Sequence, residues 1–356
     1  MIVNYKIHEV SEYINWIYFF HAWGFQPKFA AIADIHGCDS CRAMWLTGFA
    51  EEDRPKASEA MQLFKEANRM LNELDAAYQT HGVVNIMDAN ADGDDLLLNS
   101  KRFPLLRQQT AKLKEDDPFL CLSDFVRPLS SGITDKVGAF ATTVDAEMER
   151  LYAEDDYKRM LVQTLSDRLA EATAEKLHED VRKKLWGYAP DENLSVKDLH
   201  NEKYQGIRPA VGYPSLPDQS VNFLLDELLD MKQIGISLTE NGMMKPHASV
   251  CGLMFAHPAS RYFSIGKIGE DQLADYAARR GMSIEETKSF SPPIYKKRIN
   301  YDADKVISVF STATDIARYV YIQGIYTPCF PKMDTLGLLA SQSVSFIGND
   351  ISLFYT

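Results

Sequence analysis

Two cysteines of the chain, Cys38 and Cys41, stand three positions apart, and His36 lies just before them. Thiol and imidazole groups at this spacing are typical of redox dithiols and of one half of a zinc site. A structural zinc site takes four protein ligands, and the sequence offers no second close pair of Cys or His residues. The sequence therefore favours a surface loop with two free thiols.

An acidic stretch that begins at Asp88 and reads DANADGD has the residue pattern that opens an EF-hand calcium loop. In such loops the last position holds a glutamate that binds calcium through both oxygens, but here that position is Asn99. The flanking sequence is typical of strands rather than of two helices. We interpret the stretch as an acidic hairpin turn, with calcium binding as the alternative.

Two carboxylates, Asp167 and Glu171, lie four residues apart in a segment with strong helical periodicity. They therefore share one helix face with the nearby Glu175 and His178. From residue types alone, this is a solvated charged face that acquires a function only if another molecule docks on it.

Arg208 lies in residues 206–217, a segment rich in glycine and proline that is too broken for a helix or for the interior of a sheet. Such a segment lets the backbone approach a ligand closely while the guanidinium group holds a carboxylate through two hydrogen bonds. A buried structural salt bridge accounts for the same arginine equally well.

Hydrophobic periodicity predicts the elements that position these groups. The strongest pattern predicts one long amphipathic helix over residues 155–186, ended by Gly187 as a C-terminal cap. Further helices are predicted over 56–77, 219–232 and 270–280, the last closed by Gly281, and Ser283 with Glu286 forms a capping box for one more turn. Two short strands are predicted within residues 83–98, on either side of the turn 88–95. Single strands are predicted over 119–125 and 137–142. Residues 248–256 and 262–268 are predicted to form a hairpin.

Strands mixed with segregated long helices, without a regular βαβα alternation, predict an α+β fold in which long helices surround antiparallel strands. We predict one domain over residues 1–290. From residue 291 to 356 the chain is aromatic and β-branched without clear periodicity, and we treat it as a C-terminal extension of unknown structure.

The composition is that of a soluble globular protein, with 356 residues of which 46% are hydrophobic and 25% charged. A net charge of −12 argues against nucleic acid or an anionic membrane surface as a partner. The sequence has no targeting segment and no apolar stretch of ~20 residues, and its five cysteines form no disulfide framework, so we expect a cytoplasmic protein. It also lacks the common phosphate-binding, nucleophile-elbow and zinc-protease motifs.

Longer stretches of the sequence resemble a known family. Residues 167–195 (DRLAEATAEKLHEDVRKKLWGYAPDENLS), residues 204–218 (YQGIRPAVGYPSLPD) and most of residues 238–283 are similar to the activation module at the C-terminus of cobalamin-dependent methionine synthase. Shorter matching stretches are INWIYFFHAW, LFKEANRML and HGVVNIMDAN. The resemblance covers residues 11–290, with an extra stretch near residues 34–52.

This resemblance implies a shallow groove for S-adenosylmethionine, formed by the segment after the long helix and by the later hairpin. It implies that Arg208 holds the methionyl carboxylate and that Ala210 and Tyr213 line the cofactor. Tyr262 and Phe263 are expected to pack near the same ligand.

The resemblance also gives the acidic residues a role, since Asp167 and Glu171 would face an incoming corrin ring. Glu202, just before the broken segment, is a further candidate. Asn15 stands where the family usually has an aspartate that contacts the cofactor. Asparagine keeps a hydrogen-bond acceptor but loses the charge, so we expect weaker binding.

The function implied is the binding of S-adenosylmethionine and the reductive remethylation of cob(II)alamin, with cobalamin carried by a methionine synthase partner in trans. An electron donor such as a flavodoxin-like protein would supply one electron. We expect no catalytic nucleophile and no metal of its own, and no complete homocysteine methylation by this chain alone. The alternative, suggested by Asn15 and the C-terminal extension, is a non-catalytic docking or regulatory protein derived from the same module.

Overall fold

The computed structural model describes residues 1–99, 101–110, 117–291 and 294. In this part of the chain the strands are β1 (Ile2–Lys6), β2 (Gln79–Asp92), β3 (Asp95–Leu98), β4 (Lys101–Pro104), β5 (Asp135–Val144), β6 (Ser237–Leu238), β7 (Met244–Lys245) and β8 (Ser249–Met254). The helices are α1 (Ile7–Ser11), α2 (Trp16–Ala22), α3 (Asp39–Thr47), α4 (Arg54–Asp75), α5 (Asp156–Asp180), α6 (Val196–His200), α7 (Val221–Leu229), α8 (Glu270–Arg280) and α9 (Ile284–Phe290). Apart from residues 291 and 294, the predicted C-terminal extension lies outside the described residues.

An antiparallel sheet organises the described residues, with its strands in the order β4-β3-β2-β5-β8 and with β1 also paired to β2. β2 is long enough to pair with β1 through residues 79–83 and with β3 through residues 89–92. β5 pairs along the other side of β2 and carries β8 on its far side. Helices segregated from an antiparallel sheet confirm the predicted α+β class.

The sheet separates two apolar layers, because β5 is buried on both faces over residues 137–144. Phe140 packs with Leu177 of α5 on one face. Ala139 and Ala141 belong to the apolar cluster on the opposite face, which includes α7. Successive side chains of a strand point to opposite faces, so a strand covered on both sides reads as the continuous apolar run seen in the sequence.

The long predicted helix is confirmed as α5, which continues through a π turn (Val181–Leu185) until Gly187, at φ 74°, ends it. In the π turn the N–H groups of Trp186 and Gly187 both reach the carbonyl of Val181, at 2.9 and 3.1 Å. α5 packs against the sheet on one side and against α1, α2 and α4 on another. Buried side chains therefore occur on most of its circumference, so the predicted length is confirmed but the predicted amphipathic character is wrong.

The extra stretch near residues 34–52 forms α3, which packs beside α4 at the edge of the N-terminal helical layer. None of the nine residues of α3 is buried. Trp45 and Leu46 are only partly covered by the main apolar cluster. The segment is therefore held to the fold by partly covered side chains, which include Phe49 stacked on Phe29, and not by fully buried ones. None of the described helices is both long and apolar enough to cross a membrane.

Two sequence predictions hold closely at the ends of helices. α8 begins and ends at the predicted residues, and Gly281 adopts the left-handed conformation (φ 67°) of a C-terminal cap. Ser283 caps α9 by accepting the N–H of Glu286 at 3.1 Å, which is one half of the predicted capping box; the return bond from the Glu286 side chain is not made. Both features depend on local residue types, which the sequence states directly.

The predicted strand at residues 119–125 is wrong, since Leu122–Phe125 forms a 3-10 turn and Phe119 is 45% exposed. Asp124 accepts the backbone N–H of Cys121 at 2.8 Å, and this side-chain cap favours a turn over an extended strand. The predicted helix over 219–232 is too long, because Asp230 adopts a left-handed conformation (φ 50°) that ends α7 at Leu229.

The acidic hairpin is present, but its turn is tighter than the predicted 88–95. β2 extends to Asp92, which pairs with Asp95, so Gly93 and Asp94 alone form the turn. The carboxylates of the hairpin make ion pairs: Asp92 with Arg102, Asp94 with Arg107, and Asp95 with Arg102 and Arg279.

Candidate functional site

The broken segment after α5 lies along the outer edge of β8. We call residues 206–211 the edge segment. The N–H groups of Ile207 and Phe255 donate to each other's carbonyls at 3.0 and 2.9 Å. Further along, Val211 donates to the Cys251 carbonyl at 2.9 Å. The segment is thus irregular, as predicted, but it is fixed to the sheet by backbone hydrogen bonds.

Two glycines permit this close approach. Gly206 has φ 91°, and a Cβ atom there would lie 2.4 Å from the Phe255 carbonyl oxygen. A Cβ atom at Gly252 would lie 2.2 Å from the Pro209 carbonyl oxygen. Side chains at these positions would separate the edge segment from β8.

Replacing Gly252 by alanine is therefore expected to lower the free energy of unfolding by about 1–3 kcal/mol, because the edge segment must shift to admit the methyl group. Urea denaturation measures the change. Gly37→Ala is the control, since the nearest atom to its Cβ is Arg42 Nη2 at 3.7 Å and its effect should stay within about 0.5 kcal/mol. Equal effects of the two substitutions would contradict the packing argument.

The edge segment carries Arg208 into a buried position, where its Nη2 donates to Glu175 Oε2 at 2.6 Å. The two side chains are 15% and 8% exposed. Burial by itself lowers the pKa of Arg208, but the attraction of Glu175 and neighbouring groups outweighs burial and raises this pKa. The buried salt bridge that was the alternative prediction for Arg208 is therefore present. The Nε and Nη1 groups of Arg208 make no hydrogen bond to a described residue.

A second carboxylate lies close to this ion pair. The pKa of Glu202 is raised above its usual value. Burial is the main cause, and the negative charge of Glu175 adds to it, while the positive charge of Arg208 opposes both. Glu175 Oε1 is buried and has no hydrogen-bond partner among the described residues. A buried carboxylate oxygen without a donor is an exception in folded proteins, and a ligand or water that reaches it would supply the missing hydrogen bond.

Two tyrosines complete the arrangement, which we call the Arg208 cluster (Arg208, Glu175, Glu202, Tyr204 and Tyr262). Tyr262 Oη accepts the backbone N–H of Arg208 at 3.0 Å. The hydroxyl groups of Tyr204 and Tyr262 lie 3.3 Å apart. Tyr262 therefore fixes the backbone that presents the guanidinium group.

Tyr204 packs against two buried side chains, one from α5 and one from its π turn. The guanidinium carbon of Arg182 lies 4.4 Å from the centre of its ring, and His178 makes an edge contact at 5.0 Å. Arg182 is itself fully buried and forms a bidentate pair with Glu192, with donor–acceptor distances of 2.7 and 2.8 Å. Burial, with the charges of Arg182 and Arg208, holds the pKa of His178 well below its usual value, so this ring is neutral near pH 7.

The predicted carboxylate face of α5 is only partly solvated. Asp167 is partly exposed, with its side chain 3.7 Å from His247, and burial raises its pKa. Glu171 accepts a hydrogen bond from Tyr213 Oη at 2.6 Å. The interpretation of Glu175 and His178 as part of a solvated face is wrong, because both are buried beneath the edge segment and the Tyr204 region.

Ala210 and Tyr213 follow Arg208 on the same segment. Ala210 lies opposite Gly252 in a backbone bridge, and Tyr213 is 51% exposed, so its ring is open to a ligand. Phe263 is partly buried, and its backbone N–H donates to Ser215 Oγ at 3.2 Å. Ala210, Tyr213 and Phe263 therefore lie on segments that meet the Arg208 cluster.

The predicted hairpin of 248–256 with 262–268 is wrong in its second half, because residues 262–267 form no strand. β8 pairs with β5 on one side and with the edge segment on the other, so neither edge remains for another strand. The stretch is instead tied to the residues beyond the edge segment, where Ile265 donates to the Pro214 carbonyl at 2.9 Å.

Asn15 has a structural position of its own, as the N-cap of α2. Its Oδ1 accepts the N–H of Ile17 at 3.1 Å. Two residues earlier, Tyr13 donates to Glu179 of α5 at 2.6 Å, and its carbonyl lies 2.9 Å from His200 Nε2 of α6. Asn15 is therefore close in sequence to contacts with α5 and with the helix that precedes Glu202, but it makes no hydrogen bond to the Arg208 cluster.

Sequence reasoning did not assign site roles to Glu175, Tyr204 or Arg182. One signal was present for Arg182, which lies within a run of four-residue leucine and valine spacing that predicts burial for its neighbours. Periodicity does not indicate that a charged residue joins them, because a buried arginine requires a partner that folding brings close.

Comparisons with known proteins identify the family of this chain. A family model described as "Vitamin B12 dependent methionine synthase, activation domain" matches residues 6–281. The structure is also similar to a crystal structure of the MetH reactivation domain bound to AdoHcy. The TM-score is 0.74 and the sequence identity 39%, over 83% of this chain and 90% of the other.

The chain therefore belongs to the activation-domain family of vitamin B12-dependent methionine synthase. The family is a module of a methyltransferase, and the resemblance noted in the sequence is confirmed.

Proposed function

We propose that this protein binds S-adenosylmethionine and supports the reductive remethylation of cob(II)alamin on a cobalamin-binding module of methionine synthase. The buried Arg208, fixed on the edge segment beside two carboxylates, is the observation that carries the proposal. A relative that is 39% identical was crystallised with AdoHcy, which is S-adenosylmethionine without its transferable methyl group.

The amino-acid end of the ligand is a zwitterion, so it needs a cation and an anion side by side. In the proposed complex Arg208 holds the carboxylate through N–H groups that are not engaged by Glu175. The free Oε1 of Glu175, with Glu202, accepts from the ammonium group. Charge-assisted hydrogen bonds of this kind are about twice as strong as neutral ones.

The remaining site residues act on the nucleoside and on orientation. Ala210 presents a small surface on the edge segment, and the exposed ring of Tyr213 covers the ligand. Tyr262 and Phe263 pack beside it, with Tyr262 also fixing the backbone of Arg208.

The sulfonium ligand supplies an electrophilic methyl group. Transfer of this methyl to the cob(II)alamin of the partner would also need one electron from an external donor such as a flavodoxin-like protein, and AdoHcy would leave with the bonding electrons of the broken carbon–sulfur bond. We assign this chain no nucleophile or general acid in that transfer, because its residues would contribute by holding and orienting the sulfonium ligand.

Asp167 and Glu171 are proposed to meet the corrin ring on the cobalamin partner. Their side chains lie on the outer part of α5, and the bond from Tyr213 orients Glu171. A corrin carries amide side chains, which donate hydrogen bonds to carboxylates.

Two measurements test the proposal. Calorimetric titration of the full chain with S-adenosylmethionine and with AdoHcy should give saturable binding of both. The reactivation assay combines a cobalamin-loaded methionine synthase partner, a reductant, S-adenosylmethionine and this protein. A partner that stays inactive under these conditions would contradict the proposed activity even if the ligand binds.

Asn15→Asp is expected to increase the affinity for S-adenosylmethionine by about three- to tenfold, because it adds a negative charge to a contact that is otherwise neutral. Aspartate caps a helix as well as asparagine does, so the stability of α2 should change little. Titration and thermal unfolding of both proteins measure the two effects. Unchanged affinity would mean that residue 15 acts only as the cap of α2.

The alternative function is a non-catalytic docking or regulatory role. The neutral Asn15 in place of the usual aspartate favours it. Undetectable heat at high S-adenosylmethionine concentration, together with stable binding to a cobalamin-loaded partner, would support this alternative over the proposed activity.

A further inference from the structure

Three metal-binding side chains meet at the start of α3, outside the Arg208 cluster. The ligand atoms of His36, Cys38 and Cys41 all lie within 4.8 Å of one another. His36 is exposed, and the two cysteines are partly exposed, so an ion has access from solvent. Although the sequence alone favoured two free thiols, folding adds the imidazole as a third ligand.

The backbone of α3 holds the two thiols in this arrangement. Cys38 is the N-cap residue of the helix, and its Sγ accepts the N–H of Cys41 at 3.3 Å. One helical turn therefore presents both sulfur atoms in the same direction.

The spacing is close to that of a metal site. Bond lengths of ~2.3 Å to sulfur and ~2.0 Å to nitrogen place tetrahedral ligands about 3.5–3.8 Å apart. Small rotations of exposed side chains bring groups that lie within 4.8 Å to this distance. Thiolate and imidazole are ligands that select zinc over magnesium or calcium.

The thiol chemistry also fits. Zinc binds the thiolate form of cysteine, and two thiolates with one imidazole are a ligand set that zinc takes in proteins.

The surrounding fold gives such an ion a structural purpose. None of the side chains of α3 is buried, and the two that pack partly on the main apolar cluster, Trp45 and Leu46, lie at its C-terminal end, so its first turn has no buried side chain to fix it. A metal bound across the start of the helix would fix residues 36–41, much as metal sites stabilise other small segments with little core.

We propose that His36, Cys38 and Cys41 bind zinc across the start of α3 as an open site, in which three protein ligands hold the ion and water or an external ligand takes the fourth position, unlike a closed structural site with four protein ligands. Binding replaces the thiol protons, which are released to solvent as the two thiolates coordinate the ion. The site is separate from the proposed function, which uses no metal bound to this segment.

The test uses the full chain in a Cys329→Ser background, which removes a cysteine outside the described residues. The reduced, metal-free protein is titrated with zinc in competition with a chromophoric chelator, and separately with cobalt(II). We expect one equivalent of zinc per chain and a cobalt spectrum with the thiolate charge-transfer and d–d bands of tetrahedral coordination.

Cys38→Ser, Cys41→Ser and His36→Ala should each weaken zinc binding by more than about 100-fold, since even the loss of groups that only support the ligands costs about 10- to 100-fold. Ser40→Ala and His21→Ala are matched controls, because both residues are exposed and neither belongs to the three-ligand group; they should bind zinc like the parent protein. Zinc should also raise the melting temperature of the parent and of both controls, and chelation should reverse the rise.

Three results would overturn the proposal. One is the absence of stoichiometric zinc uptake by the reduced protein. Another is uptake that Cys38→Ser or Cys41→Ser leaves unchanged. The third is reversible formation of a Cys38–Cys41 disulfide in a protein that retains no zinc when reduced, since this behaviour defines a redox dithiol instead.

Discussion

Arg208→Ala is expected to weaken binding of S-adenosylmethionine by at least about 100-fold, because it removes a buried charged group that pairs with the ligand carboxylate. The same substitution leaves Glu175, only 8% exposed, without its cation. An unpaired buried charge costs about 3–5 kcal/mol of stability, so the variant should also unfold more easily. Titration calorimetry and urea denaturation measure the two losses.

A double variant separates ligand binding from folding. Arg208→Met with Glu175→Gln removes both charges and keeps similar side-chain volumes, so stability should recover relative to Arg208→Ala. Ligand binding should stay weak, because neither replacement supplies a cation for the carboxylate. Recovery of binding along with stability would mean that Arg208 supports the fold and does not contact the ligand.

The other large effect is expected at Arg182, whose side chain has no exposed surface. Arg182→Ala leaves Glu192, 7% exposed, without its bidentate partner and removes the cation that lies over the Tyr204 ring. We expect the free energy of unfolding to fall by about 3–5 kcal/mol. Because Tyr204 contacts Tyr262, and Tyr262 fixes the backbone of Arg208, affinity for S-adenosylmethionine should fall as well.

An exposed ion pair provides the comparison for this prediction. Lys101 and Glu227 lie 3.3 Å apart with side chains 61% and 62% exposed. Lys101→Ala should change stability by less than about 1 kcal/mol, because water screens such a pair. If Arg182→Ala cost no more than Lys101→Ala, the buried pair would not stabilise the site.

The features that the sequence predicted best are those encoded within a few residues. α8 and its Gly281 cap follow from local propensity and from one glycine, and α5 follows from leucine spacing sustained over seven turns. The α+β class follows from the arrangement of such elements along the chain.

The errors arise where distant parts of the chain decide the outcome. Residues 262–267 have the composition of a strand, but both edges of β8 are already paired. Glu175 was assigned to a solvated face because periodicity groups residues by face without stating what covers that face. Here the edge segment returns from more than 30 positions along the chain and covers it.

The candidate site also combines a residue that the local sequence identifies with residues that only folding brings together. The motif around Arg208 identified the cation through its resemblance to a family, but Tyr204 and Glu175 came together only in the folded chain. Similarly, Cys38 and Cys41 were visible as a pair, whereas the position of the His36 ring depends on how the chain enters α3.

The attachment of residues 206–211 to β8 has a consequence for solubility. A free strand edge offers unpaired N–H and C=O groups to a second molecule, and this is a common route to aggregation. The residues proposed to bind the sulfonium nucleoside also occupy that edge. A substitution that detaches them would disrupt the site and would also expose a strand edge that can pair with other molecules. Loss of activity and loss of monodispersity should therefore appear together in such variants.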